Sequence, residues 1–190
     1  GPRSSHEQRR SNPGHQRFNS MPNVMAKRIF DIVFSLLALI LLSPVLFVVA
    51  LWIKIDSSGP VFFRQTRVSQ YGKGFRIFKF RTMRTDAEKL GLQITAGNDL
   101  RITKAGHFLR KYKLDELPQF INVLIGDMSV VGPLPEVPKY VAYYPENLRN
   151  LVLSVRPGIT DRASIEFKDE NSLLDASKNP ERTYIEEILP

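Results

Sequence analysis

The densest chemical signal in the chain is the run from Arg110 to Asp127, RKYKLDELPQFINVLIGD, where two adjacent carboxylates, Asp115 and Glu116, follow a basic cluster. Leu117, Phe120, Ile121, Leu124 and Ile125 recur behind them at helical spacing, and Pro118 is compatible with a helix only in its first turn. Asp115 is therefore expected at or beside a helix N-cap. Unpaired N–H groups and the positive end of the helix dipole stabilise a carboxylate there and also attract phosphate. Such an environment keeps Asp115 ionised beside an anionic substrate. An ionised Asp can hold Mg²⁺, or attack phosphorus to give a mixed anhydride that passes the phosphoryl group onward. The plainer reading, an N-cap beside a solvated acid pair, describes most such residues; on these residues alone both stay open.

Around this pair the charge is uneven. The chain carries +8, but residues 54 to 113 hold 14 Lys or Arg against 4 Asp or Glu, whereas residues 157 to 190 hold 4 against 8. Within the basic block, Arg76, Lys79, Arg81 and Arg84 alternate with Phe75, Phe78 and Phe80. The pattern suits a nucleotide diphosphate, an anionic lipid surface, or a nucleic acid bound by phosphate contacts and stacking. A non-enzymatic, membrane-tethered binder of anionic polymer or nucleic acid is the rival reading, although Asp115 and Glu116 have no task in a phosphate-backbone reader. The absence of cysteine excludes disulfides, thiol nucleophiles and thiolate metal sites. His107 has no second ligand at metal spacing, Gly72-Lys73-Gly74 lacks the rest of a P-loop, and neither a nucleophilic serine elbow nor a dinucleotide fingerprint occurs.

The elements that must position these residues start with an anchor. Ile32 to Ile53 is a run of 22 residues without a charge, which as a helix is ~33 Å long, about the thickness of a hydrocarbon core. It is too long for a signal peptide and has no small-residue cleavage site. Ser43-Pro44 falls in its middle, where a proline should bend the helix. Lys27 and Arg28 precede the run and Lys54, Arg64 and Arg67 follow it, which draws both flanks to the cytoplasmic side. A helix that enters, breaks and returns therefore competes on even terms with one that spans. Asp31 is expected to pair with Arg28 at the interface.

Beyond the anchor, VFFRQTR and FRIFKFRTM read as a hairpin joined by SQYGKG. A polar helix is expected around Thr85 to Leu90, helical pieces between the prolines from Gly132 onward, and an acidic helix from near Pro180. Residues 1–20 read as a cleavage scar and linker, 21–56 as the membrane segment and 57–190 as the catalytic domain. The fold class is α/β: a compact membrane-anchored protein with an N-terminal apolar helix, a short β-hairpin and several interfacial amphipathic helices, which the resemblance below implies to be monotopic.

An ordered set of motifs resembles the bacterial sugar transferases, or monotopic phosphoglycosyl transferases, over most of residues 26–160. It comprises Lys27-Arg28-x-x-Asp31, Ser43-Pro44, Gln65-x-Arg67, Lys79-Phe80-Arg81-Thr82-Met83, Arg101-Ile102-Thr103 and Leu109-Arg110-Lys111. Leu114-Asp115-Glu116-Leu117-Pro118-Gln119, Asn122-Val123-Leu124-x-Gly126-Asp127-Met128-Ser129, Gly132-Pro133 and Arg156-Pro157-Gly158-Ile159-Thr160 complete it. The resemblance implies a re-entrant helix broken at Ser43-Pro44, Asp115 as nucleophile and Mg²⁺ ligand, and Glu116 as its assistant. It further implies a UDP-sugar donor, a polyprenyl (undecaprenyl) phosphate acceptor, release of UMP, and a place on the cytoplasmic face of the bacterial inner membrane among its lipids, with no nucleic acid partner. Charge and motif position make Arg81, Arg110, Arg156 and Lys79 the candidates for binding phosphate or nucleotide. The chain departs from the family pattern at Ser69 and Asp161, where glycine is usual, at Leu134, where arginine is usual, and at Ala163-Ser164. It also ends before a closing helical segment that many relatives carry.

Overall fold

A computed structural model describes residues 21–85 and 99–161, with side chains from Asn23 onward. The expectations for residues 1–20, for the polar helix beyond Thr85, for Ala163-Ser164 and for the acidic tail lie outside the described residues.

The apolar run forms the core of α1 (Met21–Asp56), 36 residues with Pro44 inside the helix, ~54 Å at helical rise. Proline 44 cannot donate to the carbonyl four residues back. That carbonyl, on Ile40, instead accepts the Ser43 hydroxyl at 2.8 Å, so the Ser-Pro pair leaves no orphaned acceptor. Helix continues across the position where the sequence suggests a break. By length and composition α1 is able to cross a membrane, and its apolar surface is largely uncovered: Leu41, Phe47 and Val48 are all exposed.

Alternating residues build the expected hairpin, β1 (Phe62–Val68) and β2 (Gly74–Phe80), antiparallel with Phe62 opposite Phe80 and Val68 opposite Gly74. Its two faces serve two cores. Phe80 packs with Val49 and Ile53 of α1 and with Leu109 of α2 (Lys104–Lys111), while Phe75 and Ile77 pack with Val123 and Met128. A 3-10 turn (Leu114–Glu116) joins α2 to α3 (Gln119–Ile125). Then follow β3 (Ser129–Val131), the short helices α4 (Pro138–Val141) and α5 (Glu146–Val152), and β4 (Gly158–Thr160), which pairs in parallel with β3.

Helix α3 lies between β2 and α1, and polar positions take part of its inner side. Its buried residues are Gln119, Asn122 and Val123, whereas Ile125 is 62% exposed and Phe120 meets Phe34 of α1 at 5.9 Å between ring centres. The polar positions face the domain because β2 has an open edge there. Asn122 Oδ1 accepts the Phe78 N–H at 2.7 Å and its amide donates to the Arg76 carbonyl at 3.0 Å, so one side chain stands in for a third strand.

Asp31 does not pair with Arg28. It is 2% exposed and accepts from the Ser129 hydroxyl (2.9 Å) and the Val130 N–H (3.0 Å), with Lys27 at 3.6 Å. A carboxylate so deeply buried needs several donors, and β3 supplies them. Arg28 donates instead to the carbonyls of Val123 and Leu124, at 2.7 and 3.0 Å, the negative end of α3.

Replacing Asn122 by leucine keeps the volume and strands two backbone groups of β2. The variant is expected to lose about 2–4 kcal/mol of stability, read as a lower denaturation midpoint in detergent.

Candidate active site

Three elements bring the candidate residues together. Helix α2 ends at Tyr112, and Lys113 turns the chain with a left-handed backbone, φ 56. Few non-glycine residues adopt that conformation. Here it reverses the chain into the 3-10 turn, where Asp115 is 8% exposed. Beside it Glu116 Oε1 accepts from Lys79 Nζ of β2 at 2.8 Å, both side chains being partly exposed.

Burial drives the Asp115 pKa above the usual carboxylate range. Lys79 lowers it, Glu116 raises it again, and Arg110 lowers it. Asp115 Oδ1 is buried without a hydrogen-bond partner among the described residues. The expectation that Asp115 sits at a helix N-cap is corrected in position: it lies within the 3-10 turn ahead of α3. The first residue of α3 is Gln119, about one turn further on, and loss of water outweighs the local cations.

Arg110 approaches from α2. Its Nε donates to Thr82 Oγ1 at 2.9 Å, and no described residue accepts from its two terminal nitrogens. Burial lowers its pKa, while Asp115 and Asp99 raise it. Helix α2 is seated against Thr82 by Gly106, where a Cβ would overlap the Thr82 carbonyl. The same carbonyl accepts the Thr103 N–H at 3.0 Å.

Arg81 and Arg156 lie apart from this group. Arg81 is 4% exposed and its guanidinium donates to the carbonyls of Ser58, Ser57 (2.7 Å) and Ile53 (3.5 Å). It caps the end of α1 rather than facing Asp115. Arg156 Nε donates to the Gly126 carbonyl at 3.1 Å, at the other end of α3 and close to Arg28. Lys27, Arg28 and Asp31 hold α1 to β3 and α3, with Lys27 also reaching the Ser129 hydroxyl.

The bacterial sugar transferase family model matches residues 22–189. The chain belongs to this family. It is 48% identical over 146 residues to the UDP-glucose:undecaprenyl-phosphate glucose-1-phosphate transferase of Escherichia coli (strain K12), covering 75% of this chain and 31% of that protein. It is 42% identical over 141 residues to the UDP-N-acetylgalactosamine-undecaprenyl-phosphate N-acetylgalactosaminephosphotransferase of Aeromonas hydrophila (73% and 33%). It is also 38% identical over 183 residues to the galactosyl transferase CpsE of Streptococcus agalactiae serotype III (strain NEM316) (90% and 40%). The chain thus spans about a third of the length of the first two relatives.

Within this bacterial sugar transferase the structure gives tasks to motif residues that the sequence left without one. Thr82 orients Arg110, and Asn122 fixes the turn bearing Asp115 against β2. Asp99, held by Arg101 at 2.6 Å, adds negative charge behind Arg110; an aspartate two residues from an arginine in a loop gives no sequence signal of that. Ser69, in the place of the usual glycine, donates its hydroxyl to the Asp127 carbonyl at 2.6 Å. Leu134 lines a shallow apolar crevice with Val68, Tyr144, Leu153 and Pro157, which shares no residue with the Asp115 cluster.

A carboxylate whose pKa is raised in the fold stabilises it only while protonated; that contribution is lost as pH rises from the ordinary carboxylate range through the raised value. At neutral pH the ionised Asp115 is a net cost. Thermal denaturation at pH 7 should accordingly give Asp115→Asn a Tm equal to or above that of the parent, while Arg81→Gln, which strips carbonyl partners from α1, should lower it.

Proposed function

We propose that this chain is the catalytic part of a phosphoglycosyl transferase, moving a sugar 1-phosphate from a UDP-sugar to polyprenyl (undecaprenyl) phosphate at the cytoplasmic face of the inner membrane. The observation that carries the reading is Asp115 itself. It is a buried carboxylate with one unpartnered oxygen, set between the Lys79–Glu116 ion pair and the open end of Arg110. The activities in the relatives' names, which differ in sugar but share undecaprenyl phosphate, support the same reaction class.

In the proposed cycle a carboxylate oxygen of Asp115 attacks the sugar-bearing phosphorus of the donor. The bond from that phosphorus to the bridging oxygen breaks, and UMP leaves. A phosphate oxygen of the lipid then attacks the same phosphorus and frees the Asp115 carboxylate. Arg110 and Lys79 are placed to bind the phosphate oxygens, and Glu116 to assist as acid or base. Burial limits water, which would otherwise hydrolyse the mixed anhydride. Arg81, with its terminal nitrogens on backbone carbonyls, serves by holding α1, while Arg156, bound through Nε to the Gly126 carbonyl, steadies α3 and stays a candidate for phosphate through its terminal nitrogens.

Mg²⁺ belongs to the proposal. The ion ordinarily takes one or two protein carboxylates together with water and substrate phosphates, and the open oxygen of Asp115 fits that demand. No group of three acidic or histidine side chains gathers among the described residues, so Asp115 would hold the ion with the diphosphate. Its chemistry there is neutralisation of phosphate charge.

The anchor is proposed to be re-entrant, residues 21–56 forming the membrane part and 57–190 the catalytic part. What supports this is that both ends of α1 dock on one charged domain. Lys27, Arg28 and Asp31 bind β3 and α3, while Val49, Ile53 and Asp56 meet Phe80, Leu109 and the Ala105 N–H. A spanning helix would put those ends on opposite sides of the bilayer or immerse the charges in it. The exposed Ile125 of α3 fits the same placement in lipid.

The test uses protein in nanodiscs with Mg²⁺ and a panel of UDP-sugars, with and without undecaprenyl phosphate, reading released UMP. Lipid-dependent release from one donor, abolished in Asp115→Asn without loss of Tm, is expected. The acidic limb of the pH profile should move to higher pH in Lys79→Met, which removes the strongest cation lowering the Asp115 pKa, and to lower pH in Glu116→Gln. No release from any donor, together with salt-dependent nucleic-acid binding that survives Asp115→Asn, would favour a tethered binder instead.

A further inference from the structure

Helix α2 has a second flank that the reaction leaves unused. Ala105, Gly106 and Leu109 are buried against the domain, and Lys104, His107, Phe108 and Lys111 are exposed. Lys104, Phe108 and Lys111 follow one another at four and three residues, so they share one stripe. Trp52, from the last turns of α1, packs on Phe108 at 5.3 Å between ring centres, and Phe108 on Tyr112 at 4.7 Å. Lys111 Nζ lies 5.4 Å from the centre of the Tyr112 ring. All three aromatic residues stay more than a third exposed. The stripe carries no carboxylate. Asp56, the nearest acid along α1, is turned onto the Ala105 N–H at 3.0 Å.

We propose that this stripe, with Trp52 and Tyr112, is a docking pad for anionic phospholipid headgroups, an inference that rests on the membrane placement proposed above. Exposed rings at the end of an apolar helix suit the boundary between hydrocarbon and water, where tryptophan and tyrosine gather. Lysines on both sides of Phe108 add attraction for negative headgroups, and their stems cover apolar surface while the ammonium groups reach the phosphates. The pad is continuous with the uncovered face of α1, which gives it a lipid occupant rather than a protein one. It also has a consequence for the site. Helix α2 carries Arg110 on its other flank and leads through Lys113 into Asp115, so seating the stripe in the headgroup layer fixes the height of the nucleophile relative to lipid phosphates.

Trp52 is the only tryptophan in the chain, which makes its fluorescence a reporter for this place alone. Protein is placed one chain to a disc in phosphatidylcholine nanodiscs containing the same mole fraction of brominated phosphatidylglycerol or brominated phosphatidylcholine. Quenching by the anionic label is expected to be roughly threefold stronger than by the zwitterionic one, and to weaken at high salt. The double variant Lys104→Gln, Lys111→Gln should bring the two labels level while its unquenched emission matches the parent's, which shows the pad still folded. Equal quenching of the parent by both labels would overturn the anionic pad and leave the membrane placement standing. A preference that survives in the double variant would overturn the role of the lysines. Absence of quenching by either label would overturn the pad and the membrane placement together.

Discussion

The placement of the candidate active site depends on how Asn122 closes the open edge of β2. Its side chain exchanges hydrogen bonds with Phe78 and Arg76 in the manner of a neighbouring strand. Its own carbonyl accepts the N–H groups of Gly126, Asp127 and Met128, which ends α3 and starts the chain toward β3. Because α3 is pinned in this way, the turn ahead of it delivers Glu116 to Lys79. Because α3 ends there, its last carbonyls are available to Arg28. The turn bearing Asp115 and the long apolar helix α1 are thus referenced to the same buried amide.

The second governing feature is the direction in which the apolar surfaces point. Helix α3 buries Asn122 and Val123 toward β2, packs Phe120 on Phe34 of α1 and leaves Ile125 exposed. An exposed apolar position of this kind costs little where the surroundings are hydrocarbon, the placement proposed above. The charge that α1 does bury, Asp31, is met by donors from β3, since an unmet charge at such a place is strongly destabilising. Arg81 plays the corresponding part at the other end, where the last carbonyls of α1 meet a fixed cation.

These two features explain which parts were legible in the sequence. The hairpin was legible because strand alternation and the glycines of its turn are local signals, and the anchor because 22 uncharged residues admit few other readings. The helical period of α3 was legible too, but its orientation was not, since a wheel of apolar residues reports a face without saying whether protein or lipid covers it. The partner of Asp31 was misplaced because proximity along a helix favours Arg28, whereas β3 is a hundred residues away in the chain. Arg81 looked like a phosphate ligand because charge and motif position cannot reveal that its guanidinium ends on the carbonyls of Ile53, Ser57 and Ser58. The upward shift of the Asp115 pKa was not legible for a related reason: the sequence shows the neighbouring cations, whereas burial is a property of the fold.

Charge balance around Asp115 carries the argument one step further on the proposed reaction. Lys79 and Arg110 against Asp115 and Glu116 make the cluster neutral when all four are ionised. A donor diphosphate adds negative charge and takes up part of the field of Arg110, which acts to lower the Asp115 pKa. Entering alone, it would push the buried carboxylate further toward its protonated form and so disarm the nucleophile it is meant to meet. A divalent cation arriving with the diphosphate, as proposed, would restore the balance. The open oxygen of Asp115 is the place where such a cation would complete, together with substrate, the electrostatics that the protein leaves unfinished.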